Sequence, residues 1–186
     1  NVSYISVSQQ ITQPTLDPDY VSVSDYVKTV GAGGLFGSAK ITPPILARML
    51  ETDCQKALRL VQPINVSANR SLLYEVADVQ VWANLGLHLA EKLKAAVALQ
   101  TYRITGQEAQ KGAAIQHLKA ALRYWDAVIA ITRPLYNDMP LVHLTEQKGH
   151  TPEENNKLRF HWETLRPNVA KDIEIAEKAQ PVTEKQ

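Results

Sequence analysis

The most constraining feature of this 186-residue chain is an apolar row whose members are alternately three and four residues apart. Its members are Ile115, Leu118, Leu122, Trp125, Ile129 and Thr132. At the period of an α-helix, these side chains lie on one side of a single long helix, with polar residues between them. Such a helix must bury its apolar side against other helices. The row therefore predicts a packed helical scaffold.

Two further long helices are predicted before this one. The first begins at Thr42, where a hydroxyl can cap the helix and the following prolines tolerate the missing N–H groups, and it runs to about Val61. The second spans about 71–105 and carries apolar residues on more than one face, which predicts a central position. Gly106 is typical of a helix C-terminus, so the third helix, about 107–132, returns antiparallel to the second.

Several side chains are assigned to the core of these helices. The small residues Ala83, Gly86 and Ala90 should let a neighbouring helix approach the second helix closely. His88 and His117 are expected at the surface or at the edge of the core. The residues that the first helix is expected to bury are Leu46, Leu50, Cys54, Ala57, Leu58 and Val61.

The remaining segments are shorter. A capping box at Thr151 predicts a short helix to about Trp162, and Arg166-Pro167 begins a last helix through about Lys178. The predicted fold is therefore mainly α, an up-down bundle of three long helices plus a shorter C-terminal helix. We divide the chain into an irregular N-terminal arm at 1–41, a helical bundle domain at 42–180 and a polar tail at 181–186. The arm has too few helical signals to fold alone, so it should lie on the helices or on a neighbouring domain.

Composition narrows the classes of partner. Twenty basic and nineteen acidic residues give a formal charge of +1, so the molecule has no strong field of one sign. Nucleic acid is therefore a poor partner. The chain has no apolar run of the length that spans a bilayer, so we predict no membrane insertion.

No arrangement typical of a catalytic, cofactor or metal site is recognisable. The glycines at 31, 33 and 37 lack the spacing and the strand–helix context of a dinucleotide site, and Cys54 has no partner evident in the sequence. His143, His150 and His161 are spaced too widely for a typical helical zinc pair. We therefore predict no catalytic, cofactor-binding or metal-binding residue. A small helical enzyme would need a pocket of titratable groups, for which 143–161 is the best location.

The aromatic residues could form a platform for sugar stacking if several were exposed together. Trp125 and Trp162 are assigned to the core, whereas Tyr124 and Tyr136 are the candidate surface aromatics. Residues 98–122 also carry a weak tetratricopeptide-like pattern. This pattern leaves open an alternative function, a free-standing helical module that binds a protein partner.

Several segments resemble large bacterial glycan-degrading proteins, mainly of Bacteroidetes, that are glycoside hydrolases of an α-glucuronidase- or α-galacturonidase-like kind. The segment 17–27 (DPDYVSVSDYV), followed by 41–44 (ITPP), is similar to one part of those proteins. Their helical C-terminal region resembles 89–96 (LAEKLKAA), 120–125 (AALRYW) and 172–176 (DIEIA). The chain also begins at Asn1 rather than Met, so we expect a trimmed protein or a piece of a longer one.

The resemblance implies that this chain is a non-catalytic accessory domain of a carbohydrate-active enzyme. It further implies a periplasmic or cell-surface location, a catalytic domain of the same polypeptide as partner, and a polysaccharide or oligosaccharide as substrate of the whole protein. No stretch matches a catalytic barrel motif, so no catalytic residue is carried over. Within the arm, we expect Asp17, Asp19, Tyr20 and Tyr26 to form the segment that docks on the catalytic domain.

Overall fold

The computed structural model describes residues 4–140, except Ala68, and 159–182. Within these ranges the chain forms six α-helices and one small antiparallel strand pair. The elements are α1 (Val7–Thr12), α2 (Val23–Gly31), α3 (Pro43–Val61), α4 (Arg70–Thr105), α5 (Glu108–Thr132), β1 (Met139–Pro140), β2 (Arg159–Phe160), a 3₁₀-helix (Trp162–Leu165) and α6 (Arg166–Glu177). The predicted mainly α fold, with three long helices and a shorter C-terminal one, is confirmed.

Helix α4 is the centre of the bundle, as its two apolar faces predict. It packs against α5 along most of its length, against α3 on another side, and against α1 and α2. Ala90, Ala95 and Ala96 are completely buried, and their small side chains allow the neighbouring helices to come close. Gly106 ends α4 with a φ of 71°, a left-handed conformation that glycine adopts without a steric penalty.

The apolar face of α5 is centred one residue away from the row that the spacing predicts. Leu118, Trp125 and Thr132 are buried, whereas Ile115, Leu122 and Ile129 are only half-buried. The other buried positions are Ala114, Ala121 and Val128. Contact with α4 therefore runs over small residues as well as large ones, because the closest approach of two helices requires short side chains.

The arm differs most from the prediction, because it contains two short helices rather than irregular chain. Ser6 and Gln9 form a reciprocal capping box at the start of α1, and Ser22 caps α2. The arm lies on the bundle, and the side chains that it places in the shared core are Val7, Ile11, Val23 and Val27. Valine-rich sequence favours strands, but burial of one face against α4 overrides that preference.

Helix α3 is less buried than its apolar row predicts. Only Pro43 and Ala47 are buried, and the predicted row is half-buried because α3 is an outer helix that packs mainly on α4. Cys54 is half-buried rather than fully buried, and its Sγ lies against Gly86, the small residue expected to admit a neighbour. Burial, with a smaller contribution from Asp53, raises the pKa of the Cys54 thiol.

The short helix predicted from Thr151 to about Trp162 differs from the structure at its C-terminal end. Residues 159–160 pair as β2 with β1, so a helix does not reach Trp162; the residues from Thr151 to 158 lie outside the described ranges. The last helix is confirmed at Arg166–Glu177, with Val169 and Ala176 inward. Beyond it, the Val182 amide donates to the Arg103 carbonyl at 2.7 Å. None of the helices described here combines the length and apolarity needed to cross a membrane.

Replacing Gly86 by alanine should destabilise the α3–α4 contact, because a Cβ at this position would overlap the Cys54 Sγ. We expect the free energy of unfolding to fall by about 1–3 kcal/mol in urea denaturation followed by circular dichroism. Adding Cys54→Ala should restore much of this loss. Gly112 on α5 has open space around its Cα, so Gly112→Ala should instead raise stability by about 0.5–1 kcal/mol. Equal stability of the two alanine variants would contradict this close approach.

Candidate functional site

A buried ion pair joins the N-terminal arm, the central helix and the last helix. Lys92 on α4 and Asp172 on α6 are only 3% and 1% exposed, and Lys92 Nζ lies 3.0 Å from Asp172 Oδ2. The Val7 amide donates to Asp172 Oδ1 at 2.8 Å, and Lys92 Nζ donates to the Ile5 carbonyl. Charges are rarely buried unless they are paired and hydrogen-bonded, as both are here.

Tyr4 and His88 complete this buried polar network. The Tyr4 hydroxyl donates to Asp172 Oδ2 at 3.0 Å and lies 3.3 Å from His88 Nε2. Lys92 Nζ lies 3.7 Å from the centre of the Tyr4 ring, a cation–π contact. His88 Nδ1 is 3.0 Å from the Ala121 carbonyl, so Nδ1 carries the proton and donates across to α5. The network thus links four parts of the chain.

Burial sets the protonation behaviour of this network. It lowers the pKa of His88 to about 4, although the hydrogen bond to Ala121 opposes this effect. Burial also lowers the pKa of Lys92, against the opposing attraction of Asp172, and it raises the pKa of Tyr4. His88 was expected at the surface or at the core edge, and this expectation is wrong: the ring is buried between α4 and α5. The groups satisfy one another, so the network acts as a structural clamp.

An aromatic cleft lies between α4, the end of α5 and the β1–β2 pair. It has a volume of about 610 Å³, within the usual range for small-molecule sites. It is lined by Asp78, Val81, Trp82, Thr132, Tyr136, Asn137, Asp138, Met139, Phe160, His161 and Trp162. We call this cavity the aromatic cleft. It combines four aromatic side chains with carboxylate, amide and imidazole groups, and so offers both stacking and hydrogen bonding.

Trp82 is the most exposed aromatic side chain of the cleft, at 71%. It follows Tyr74 and Asp78 at intervals of four residues on one face of α4. The Tyr136 hydroxyl donates to Asp78 Oδ1 at 2.5 Å, which raises the pKa of Tyr136 to about 12. The Tyr74 and Tyr136 rings are 5.8 Å apart, so the loop after α5 is fixed against α4. An exposed tryptophan therefore stands beside an ordered polar wall.

His161, one of the residues that line this cleft, has an unusual polar atom. The residue is 5% exposed, and its Nδ1 accepts a hydrogen bond from the Glu163 amide at 3.1 Å. Its buried Nε2 has no hydrogen-bond partner among the residues that the structure describes. Leaving a buried polar atom unpaired costs about 1–3 kcal/mol, so such atoms usually indicate a missing partner.

A shallower cavity of about 440 Å³ adjoins the aromatic cleft and shares Tyr136, Asn137 and Asp138 with it. Arg133 pairs with Asp138 at 2.6 Å and with Glu163 at 3.1 Å. Arg159 donates to the Asp138 carbonyl at 3.3 Å. These contacts hold the two strands and the 3₁₀-helix to the end of α5, so the rim of the cleft is ordered by charged pairs.

The residues singled out from the sequence lie in two separate places. Tyr136 lines the aromatic cleft, whereas Tyr124 is half-buried on α5 and does not line it. In the arm, Asp17 Oδ1 accepts from the Asp19 amide at 2.8 Å, and Tyr20 bridges to Ile41. Tyr26 stacks on Phe36 at 6.0 Å. His143 and His150 lie outside the described residues.

The sequence analysis did not select Trp82, Lys92 or Asp172 as site residues, and it considered His161 only as a zinc ligand. Trp82 had a detectable signal, because it shares a helical face with Tyr74 and Asp78 rather than with the buried seam. Lys92 lies four residues after His88 on α4, among buried alanines, which also indicates an unusual position. Asp172 and His161 had no such signal, because their partners are distant in sequence.

Comparison with known proteins gives no further guide: no protein-family model, no curated protein and no solved structure matches this chain. The function must therefore be argued from the residues and their geometry.

Replacing Asp172 by asparagine should leave the Lys92 charge buried without its counter-ion. We expect a loss of about 3–5 kcal/mol in the free energy of unfolding, measured by urea denaturation. Adding Lys92→Met should recover a large part, because the unpaired charge is then removed. The matched control is Glu174→Gln on the same helix, where the partner Lys178 is exposed and the change should be within about 0.5 kcal/mol. Similar losses for Asp172→Asn and Glu174→Gln would contradict the clamp.

The free energy of unfolding should decrease as the pH falls from about 6.5 to about 4, because the pKa of His88 is lowered in the folded protein. In this window the unfolded chain protonates His88 but the folded protein does not, so unfolding takes up a proton. The lowered pKa corresponds to a loss of about 3 kcal/mol that is complete below the folded value and absent above pH 6.5. Unfolding free energies measured across this range should show a smaller slope in His88→Asn. An unchanged slope would mean that His88 is not the buried titrating group.

Proposed function

We propose that this chain is a non-catalytic helical domain of a carbohydrate-active enzyme, and that it buttresses a catalytic domain outside the chain. The proposal takes the enzyme class from the resemblance of 17–27, 89–96 and 172–176 to bacterial glycoside hydrolases. The same resemblance is the support for a periplasmic or cell-surface location of the whole protein. The catalytic domain of the same polypeptide is then the main partner.

The observation that carries the docking role is the exposure of two leucines on ordered loops of the arm. Leu16 is fully exposed and Leu35 is 93% exposed. Single exposed leucines are common on protein surfaces, but these two lie on loops that hydrogen bonds hold in place. The Val21 amide donates to the Ile41 carbonyl at 3.0 Å, and the Ile41 amide donates to the Asp19 carbonyl at 2.8 Å.

Further contacts keep these loops fixed. Lys40 Nζ donates to the Pro18 carbonyl at 2.6 Å, and the Thr15 hydroxyl donates to the Tyr20 carbonyl at 3.0 Å. The candidate docking residues therefore act by shaping the loops, and Leu16 and Leu35 supply the apolar contact. A surface that is ordered before binding loses less conformational entropy when a partner docks.

A buttress also needs a rigid body behind its docking surface. The buried clamp of Lys92 and Asp172 ties the chain at Tyr4 and Val7 to α4 and α6, so the arm begins from a fixed point. α1 and α2 then place apolar side chains in the core. A partner that binds the arm loops is therefore held in a fixed orientation relative to the whole bundle.

The test is association between this chain and the flanking polypeptide that the same gene encodes, produced as a separate protein. Leu16→Ser combined with Leu35→Ser should weaken this association at least about tenfold, because each leucine contributes through buried apolar area. Calorimetric titration gives the dissociation constants. Leu60→Ser, at another exposed leucine on α3, is the matched control and should leave the affinity unchanged.

Two results would contradict the proposal. The first is a reading frame whose flanking sequence holds no catalytic domain, which would favour the free-standing interaction module. The second is equal association for the double serine variant and the Leu60→Ser control. Thermal melting of the three proteins should agree closely, because all three leucines are exposed and their replacement removes little buried area.

A further inference from the structure

The aromatic cleft holds groups that the fold itself does not use. Trp82 leaves most of its ring in solvent, although a tryptophan in a stable scaffold can bury far more area. His161 keeps a buried Nε2 with no partner in the described parts of the chain. Asp78, Asn137 and Asp138 place polar groups on the same lining. A stacking platform, together with a lining residue that has an unpaired polar atom, indicates a missing ligand.

We propose that the aromatic cleft binds an uncharged saccharide, with one pyranose ring stacked on Trp82 and a ligand oxygen paired with His161. This inference deepens the proposed function and rests on it, because a carbohydrate-active enzyme supplies the reason for a glycan contact in a non-catalytic domain. The domain would then hold a glycan chain as well as the catalytic domain.

The hydrogen-bond pattern of His161 defines what the ligand must offer. Because Nδ1 accepts from the Glu163 amide, the proton of the neutral ring is on Nε2. Nε2 is therefore a donor, and its partner must be an acceptor. Saccharide hydroxyl, ring and glycosidic oxygens all accept hydrogen bonds.

The rest of the lining favours a ligand with both apolar and polar faces. The aromatic side chains Trp82, Tyr136, Phe160 and Trp162 can cover the C–H face of a sugar ring. A purely apolar ligand would remove water from the polar groups of Asp78 and Asn137 without replacing its hydrogen bonds, which is unfavourable. A pyranose presents C–H groups on its faces and hydroxyls at its edge, so it satisfies both sets.

The charges around the cleft favour an uncharged ligand. Arg133 is already paired with Asp138 and Glu163, so its charge is balanced. Arg159 lines the adjoining cavity rather than the cleft, whereas the carboxyl groups of Asp78 and Asp138 line the cleft itself. An acidic sugar would therefore meet carboxylates as well as guanidinium groups. The volume of about 610 Å³ is ample for a small saccharide unit.

The test is titration of the purified chain with xylohexaose, cellohexaose and maltohexaose. Binding is measured by calorimetry and by tryptophan fluorescence. At least one of these neutral probes should bind at millimolar concentration. Trp82→Ala should weaken binding about tenfold or more, because a stacked aromatic anchor is removed. Trp82 is exposed, so this variant should retain the melting temperature of the wild type.

A second variant isolates the hydrogen bond. His161→Asn keeps a side-chain acceptor for the Glu163 amide but removes the Nε2 donor. It should weaken binding about three- to tenfold, the range expected for one hydrogen bond. Tyr124→Ala is the control, because this tyrosine lies on α5 but does not line the cleft, and it should leave binding unchanged.

Three outcomes would overturn the inference. The first is no binding of any of the neutral probes. The second is equal binding by wild type and Trp82→Ala, which would place the contact elsewhere. The third is binding of hexagalacturonate alone, which would overturn the uncharged class. None of these results affects association through Leu16 and Leu35, so failure of this inference and failure of the proposed function are distinguishable.

Discussion

The buried pair of Lys92 and Asp172 is the interaction on which the arrangement of the chain ends depends. Two charges withdrawn from water are stable only while each keeps its partner and its hydrogen bonds. Here those partners come from the chain at Tyr4 and Val7 as well as from α4 and α6. The pair therefore does more than join two helices. It holds the start of the arm on the bundle, because Tyr4, Ile5 and Val7 all hydrogen-bond to the pair.

Aromatic rings connect this clamp to the surface cleft. Tyr4 and His88 contact Trp125 at 5.8 and 5.1 Å between ring centres, and Trp125 contacts Trp162 at 5.5 Å. Trp125 Nε1 also donates to the Trp162 carbonyl at 3.0 Å, so the indole is satisfied in the interior. Trp162 in turn lines the aromatic cleft. The interior thus supports the back wall of the cleft, whereas Trp82 is 71% exposed.

The two proposals assign different binding roles to the arm loops and to the aromatic cleft. The arm loops offer apolar contact from a rigid frame, which suits a neighbouring protein domain. The aromatic cleft offers a stacking surface and polar side chains, which suits a small polar ligand. A domain with both would position a catalytic domain and a glycan together.

Local sequence patterns determined where the long helices form, but they determined little of the buried clamp and the aromatic cleft. The ends of α3, α4 and α5 follow from Pro43, Gly106 and the apolar rows, because capping and periodicity are local properties. The arm helices carried local signals too, such as the Ser6–Gln9 capping box, but their valines favoured strands until packing on α4 decided the matter.

Side-chain burial was decided by tertiary contact. His88 and Lys92 are polar residues on a helix, and only their packing against Ala121, Tyr4 and Asp172 makes them interior. The sequence by itself determined an α-helical bundle with a central helix, because periodicity within one segment depends on no other segment. The tertiary structure alone decided the clamp and the cleft, because each joins residues that are far apart in the chain and its energy depends on their exact distance and burial.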